Sequence, residues 1–361
     1  MSDTISERGA GKRGVRRRPS RVVGAVARVL VALLIVGGIS AWTLLFRVEN
    51  PVAPGKPVTL TIKRGSSART IAEQLAKDGV VANALMFRVR ARFTDNAGGL
   101  KPGQYGLTTG MPYDLVFAKL AKGPDIVYFD VTIPEGFSAV RVARRIATDT
   151  GLSEGELIRL VTTGAPGFTA KHPLLKGAQG GSLEGFLFPK TYQIRKGTSA
   201  TSIVDMMLSQ FDTEIARVNL TYAKSKGLSV TQVVTIASII EREVRLSREY
   251  PLVSSVIYNR LALPMRLQLD STVFYGLPEG TKVLTKADLA RKTPYNTYAR
   301  DGLPAGPICN PGIKAINAAA KPAKSKYLYY VLTSEDGSQT FATNYPDFLK
   351  AVKKYRALFG Y

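Results

Sequence analysis

Two glutamates close an apolar run in the segment Val230–Val244, VTQVVTIASIIEREV, and a carboxyl group in such surroundings can do acid chemistry. Read as a helix advancing about 100° per residue, the segment gathers Thr231, Thr235, Ser238, Arg242 and Arg245 on one arc, the expected solvent face. Ser229, with Gln232 three residues on, reads as the capping box that starts it. Glu241 then projects between Val230 and Val234, near Ala237, and Glu243 projects between Ile236 and Ile239. Desolvation disfavours a charged carboxylate and raises its pKa, and an acid that keeps its proton near neutral pH is what general-acid catalysis requires. The wheel slightly favours Glu241. The structural alternative stays open, with both acids paired to neighbouring arginines at a helix end, since ion-pair networks also perturb pKa values.

The rest of the inventory narrows the chemistry. His172 is the only histidine and Cys309 the only cysteine. A multi-histidine metal site is therefore impossible, structural zinc is unsupported, and no internal disulfide framework can form. Carboxylates, tyrosines and lysines remain as acid and base candidates.

The elements that must position these groups begin at a membrane. Val29–Phe46 carries no charge, and its length is about the minimum that spans a bilayer as a helix, roughly 18 residues. Arg8, Lys12, Arg13, Arg16, Arg17, Arg18, Arg21 and Arg28 precede it, so the positive-inside rule places the tail in the cytoplasm and everything after Arg47 outside. Trp42 and Phe46 fall where an outer aromatic belt would lie. The length of the stretch and the lack of a small-x-small cleavage site favour an uncleaved anchor over a cleavable signal peptide. The chain carries a net charge of +23, and the part beyond Phe46 holds 42 basic against 25 acidic residues, a net +17. Outside a cell that surplus suits anionic lipid and an anionic cell-wall polymer, not nucleic acid.

An internal repeat organises the first external segment. LTIKRGSSARTIAEQLAKDGVV (Leu60–Val81) aligns with VTIPEGFSAVRVARRIATDTGL (Val131–Leu152), setting Gly65 on Gly136 and Ser67 on Ser138. Each copy reads as a strand, a glycine turn and an amphipathic helix. This unit resembles half of a LysM module, which implies binding of N-acetylglucosamine-containing glycan. A packing unit without a ligand is the alternative. Beyond about Gly164 longer helices alternate with Gly/Pro-rich segments. Pro251–Leu263 reads as a helix, MRLQLDSTVFYG as extended, Thr285 with Asp288 as a helix start, and Asn310–Pro311 as the N-cap and N1 pair of a helix ending near Ala320. Two strands, YLYYVLT and QTFATN, precede a C-terminal helix, Pro346–Phe359. The fold class is α+β: a transmembrane helix, LysM-like strand–helix repeats, then a mixed α+β domain. The expected divisions are a basic tail (1–28), the transmembrane helix (29–46), a linker (47–57), the repeat region (58–164) and a C-terminal domain (165–361).

LEGFLFPKTY, ASIIEREV, VIYNRL, MRLQLDSTVFYG, TPYNTYARDGLPAGPICNPG and KPAKSKYLYYV, in this order after a membrane anchor, resemble the YceG-like endolytic murein transglycosylases. The resemblance implies that residues 165–361 are a catalytic domain and that the glutamate of the AS-x-x-E segment, here Glu241, is the catalytic residue. It implies cleavage of the MurNAc–GlcNAc bond of peptidoglycan without water: Glu241 protonates the leaving oxygen, and the MurNAc 6-hydroxyl attacks the anomeric carbon to leave a 1,6-anhydro end. The substrate supplies its own nucleophile, so no cofactor and no metal is called for. Gln268, Tyr295, Asn296 and Tyr298 are the candidate sugar-binding residues. The expected partners are peptidoglycan glycan strands and cell-wall synthases of the penicillin-binding class, and the expected role is to end elongation of nascent strands. Three positions depart from the family pattern. Ser271 stands where proline usually follows Asp270, Leu269 replaces a small polar residue, and Gln339 occupies a position that commonly holds histidine. Two other readings remain, a non-catalytic glycan-binding scaffold of the synthesis machinery and an ordinary two-carboxylate hydrolase. The second would need a carboxyl partner at controlled separation.

Overall fold

The computed structural model describes residues 21–47, 55–93, 99–125 and 127–359. The basic tail before Arg21 and most of the expected linker, 48–54, lie outside the described residues. Helix α1 (Arg21–Arg47) contains Gly24–Thr43, a stretch long and apolar enough to cross a membrane, and residues 25–43 are exposed, Leu34 at 75%.

The chain divides at Ile126/Val127 into two compact units, with α1 in the first. In the first, β1 (Pro57–Ile62), α2 (Ala68–Lys77), α3 (Ala84–Phe93) and β2 (Gly103–Thr108) run strand–helix–helix–strand, and α4 (Tyr113–Lys122) comes next. β1 and β2 pair antiparallel, from Pro57 opposite Thr108 to Ile62 opposite Gly103. Alternation along β1 turns Leu60 and Ile62 inward onto Leu75, Phe87 and Phe117.

The second unit opens with the same order of elements: β3 (Tyr128–Thr132), α5 (Ala139–Thr150), α6 (Glu154–Thr163) and, after three short 3₁₀ turns, β4 (Thr191–Arg195). β3 and β4 are antiparallel, Tyr128 opposite Arg195. The aligned repeat positions play equivalent parts. Gly65 and Gly136 adopt φ of 83° and 77°, a conformation that costs glycine little and other residues more. Ser67 and Ser138 cap α2 and α5 through their hydroxyls. The second copy shares one core with α7 (Ala200–Ile215), α8 (Thr221–Ser225), α9 (Val230–Glu243), α10 (Tyr250–Leu261) and, beyond the short helices α11 (Asp270–Phe274) and α12 (Lys286–Ala290), α13 (Ile313–Ala320). β5 (Tyr329–Leu332), β6 (Gln339–Ala342) and α14 (Tyr345–Phe359) complete the chain.

Three local expectations change. The helix α9 begins with the expected capping box, but its polar arc is not a solvent face. Thr235 and Ser238 are 2% and 0% exposed, and every residue from Val233 to Ile240 is buried. The hydroxyls are satisfied internally, Thr235 on the Thr231 carbonyl and Ser238 on that of Thr235, while Ser238 Oγ accepts the Ile308 N–H. The stretch expected to be extended after Met265 contains the single-turn helix α11. Asn310 does not cap α13, whose N-cap is Gly312. The Asn310 side chain is used across the fold, its Oδ1 accepting the Gly185 and Leu187 N–H groups.

Val131, Ile133, Val142, Ala143, Ile146 and Leu157 all belong to the core that encloses α9. A chain beginning at Val127 is therefore expected to unfold in one cooperative urea transition monitored by circular dichroism. One beginning at Gly167 should not, and a sharp transition from the shorter chain would contradict the shared core.

Candidate active site

The C-terminal turn of α9 and the segments packed on it gather three carboxyls whose proton affinity is raised. Glu241 is partly exposed. Its Oε1 accepts the Tyr250 hydroxyl at 3.0 Å and its Oε2 accepts the Gly312 N–H at 3.0 Å. Burial lifts its pKa above the usual carboxylate range and the charge of Glu135 adds to the rise, while the two hydrogen bonds and Arg242 pull it down. Glu135 and Gly136 belong to the glycine turn of the second repeat. A Cβ on Gly136 would sit in ordinary contact, 3.7 Å from Glu241 Cγ, so that glycine is called for by its φ of 77°. One on Gly312 would collide with the Glu135 carboxyl, so the bare Gly312 lets its amide reach Glu241 beside Glu135. The turn is fixed from the other side, because Gly136 N–H donates to Asn310 O and Asn310 N–H to Phe137 O.

Glu243 lies on the other flank of the helix end. Its Oε1 accepts the Ser271 N–H at 3.2 Å and its Oε2 the Tyr330 hydroxyl at 3.1 Å. Burial raises this carboxyl too, with Asp270 adding to the rise. The unusual residues of the chain meet here. Proline in place of Ser271 would have no N–H to give, and Gln339 donates its amide to the Glu243 carbonyl.

The third acid, Glu184, was not singled out from the sequence, although it sits in the LEGFLFPKTY segment. It is 4% exposed. Its Oε1 accepts the Ala139 N–H at 2.9 Å and the Asn310 amide at 3.3 Å, and its Oε2 accepts the Tyr275 hydroxyl at 3.2 Å. Burial pushes it up to about 8. Tyr250, Tyr275 and Asn310 were missed as well. The one signal for Glu184 was an acid set among Leu183, Phe186 and Leu187; Tyr275 and Asn310 are placed by contacts far along the chain, and Tyr250 reaches Glu241 from the start of the next helix.

The expected sugar contacts divide. Gln268 is exposed and holds φ at 48°, the one non-glycine residue with positive φ among those described. That strain is held by its N–H on Thr297 O and by Leu269 N–H on Thr297 Oγ1. Tyr298 donates its hydroxyl to Asp270 Oδ1 at 2.6 Å. Tyr295 packs on Tyr275 with ring centroids 4.7 Å apart, on the Glu184 side. Asn296 is 1% exposed, its amide donating to the carbonyls of Asp288, Leu289 and Arg291 and its Oδ1 accepting the Tyr298 N–H; it closes the loop that carries both tyrosines. His172 is buried away from these groups, its two ring nitrogens facing Asp205 and Asp212. No cluster of three or more His, Cys, Asp or Glu suited to a metal ion occurs among the described residues.

A cleft of about 580 Å³ opens beside the helix end, lined by Gly136, Arg141, Arg144, Glu184, Arg242, Ser271, Tyr275, Glu279 and Ile308 among others. Glu241 itself is not on its wall; its chain neighbour Arg242 and its contact Gly136 are. The sequence profile of the YceG-like family matches residues 60–354. The chain belongs to the YceG-like family. A Bacillus subtilis protein named endolytic murein transglycosylase is 32% identical over 342 residues, covering 89% of this chain and 91% of the relative. A Streptococcus pneumoniae protein of the same name is 31% identical over 358 residues, covering 91% of this chain and 64% of that longer protein. The 2.6 Å crystal structure of a YceG-like protein from Listeria monocytogenes matches with a TM-score of 0.56 and 33% identity, over 82% of this chain and 99% of that one.

Asn310 is 0% exposed and ties the second repeat, the Glu184 segment and the approach to Gly312 together. Asn310→Ala leaves at least two buried N–H groups without an acceptor, so a loss of about 2–4 kcal/mol is expected in urea unfolding. A loss below about 1 kcal/mol, no more than one ordinary hydrogen bond, would show that the knot is not structural.

Proposed function

We propose that this protein is a membrane-anchored endolytic lytic transglycosylase of peptidoglycan, with Glu241 as its acid. Membership of the YceG-like family and the names of its relatives support the activity. The observation that carries the assignment to Glu241 is its placement, a carboxyl raised by burial and by Glu135, yet partly exposed and aligned by two donors. In this reading Glu241 gives its proton to the glycosidic oxygen as the bond to the MurNAc anomeric carbon breaks. The MurNAc 6-hydroxyl then forms the new bond to that carbon and returns its proton to the carboxylate. No water is consumed, and the new end is 1,6-anhydro-MurNAc. Gln268, Tyr295 and Tyr298 would contact sugar rings and hydroxyls, with Asn296 holding the loop. The uncharged span of α1 and the basic residues before it support a single-pass anchor with the acid outside the cytoplasm. Cleavage next to the membrane fits a role in ending nascent strands beside the synthases that make them, and the strand–helix–helix–strand units would hold glycan near that surface.

Glu241→Gln keeps volume but has no carboxylic proton to give. Turnover of isolated glycan strands is expected to fall by roughly 10²–10⁴ with the fold intact, and Glu243→Gln should cost much less. Full activity in Glu241→Gln would remove the acid from this site.

The acid must be protonated to act, so activity falls as pH rises through its raised pKa. Glu135→Gln removes one cause of the rise, and the alkaline limb of kcat/KM is expected to move to lower pH. A limb that stays in place or moves upward would contradict the coupling.

A further inference from the structure

The cleft beside Glu241 is rich in guanidinium groups. Arg141 and Arg144 from α5 and Arg242 from α9 line it, against the acids Glu184 and Glu279. The Arg141 guanidinium also lies over the Phe137 ring at 3.9 Å, which holds it at the cleft wall. Glu279 answers only part of this charge. It meets Arg144 at 2.6 Å and Arg141 at 3.7 Å, in pairs whose side chains are 42–61% exposed, and exposed pairs of this kind exchange readily for another carboxylate. Arg144 has a second partner, Glu154 at 3.3 Å. Arg242 forms no ion pair among the described residues, although it sits next to Glu241 in the chain. Three guanidinium groups face two acids, so the wall is net positive even with Glu184 charged, and burial, which disfavours that charge, adds to the excess. The cleft is large enough for a peptide side branch, and its wall at Gly136 is packed directly against Glu241.

We propose that this cleft is an anion subsite, led by Arg242, that takes a carboxylate of the acidic peptide carried by a MurNAc residue next to the bond to be cut. The proposal rests on the transglycosylase reading for its substrate. A planar guanidinium fork matches a carboxylate in two parallel hydrogen bonds, which a neutral sugar hydroxyl cannot offer. The protein would thereby distinguish peptide-bearing glycan from glycan stripped of its peptides, and would place the peptide-bearing sugar in register with Glu241.

Binding can be measured apart from turnover in the full chain carrying Glu241→Gln, using glycan strands with their peptides and the same strands after amidase treatment. The peptide-bearing strands are expected to bind roughly tenfold tighter, the scale of one partly exposed charge-assisted contact. Adding Arg242→Gln should bring that ratio close to one. Adding Arg159→Gln, an exposed charge on α6 away from the cleft, should leave it as it was. Equal binding of both strands, or a ratio that survives Arg242→Gln, overturns the subsite. The transglycosylase reading fails by a different measurement, the absence of anhydro-ended products from the wild-type protein, so the two failures are told apart.

Discussion

A helix with no free side imposes the main constraint on this fold. From Val233 to Ile240 every residue of α9 is buried, so the acids at its end are placed where carboxylates lose water. A buried charge without partners costs several kcal/mol, and the fold meets that demand with donors brought from elsewhere. Tyr250 and Gly312 serve Glu241, Ser271 and Tyr330 serve Glu243, and Ala139, Asn310 and Tyr275 serve Glu184. The same contacts that complete the core therefore set the proton affinity of each acid. In all three, burial outweighs the hydrogen bonds and the carboxyl is raised.

The repeat shows how one supersecondary unit serves two ends. Both copies run strand–helix–helix–strand with an antiparallel pair, a left-handed glycine and a serine cap. The first closes on its own small core. The second is built into the unit that holds α9, and its turn supplies Glu135 and Gly136 to the surroundings of Glu241. A sequence change in that turn is thus a change in the surroundings of Glu241, although it lies more than a hundred residues before it.

Much of this was legible in the residues, for reasons that are local. The capping box at Ser229, the helix start at Thr285 and the glycine turns of the repeat are decided within four or five positions of the chain, and they stand as read. What failed was settled by distant partners. Thr235 and Ser238 look like a polar face because a wheel assumes that one side meets water, whereas here both are buried and the segment around Ile308 bonds to Ser238. Asn310 has the type and place of an N-cap, but the amides of Gly185 and Leu187, more than a hundred residues away, claim its oxygen. Glu184 stayed hidden for the same reason. Its neighbours in sequence announce burial, while the groups that give it a role come from α5 and from the segments around Tyr275 and Asn310.

Intramolecular attack assisted by one acid leaves water out of the product, and the fate of water tests that chemistry most directly. Glycan strands digested by the wild-type protein in heavy-oxygen water, then weighed by mass spectrometry, should give ends lighter by one water than hydrolysed strands and free of the heavy isotope. Reducing ends that carry the isotope would mean that water is the nucleophile and that the protein is a hydrolase.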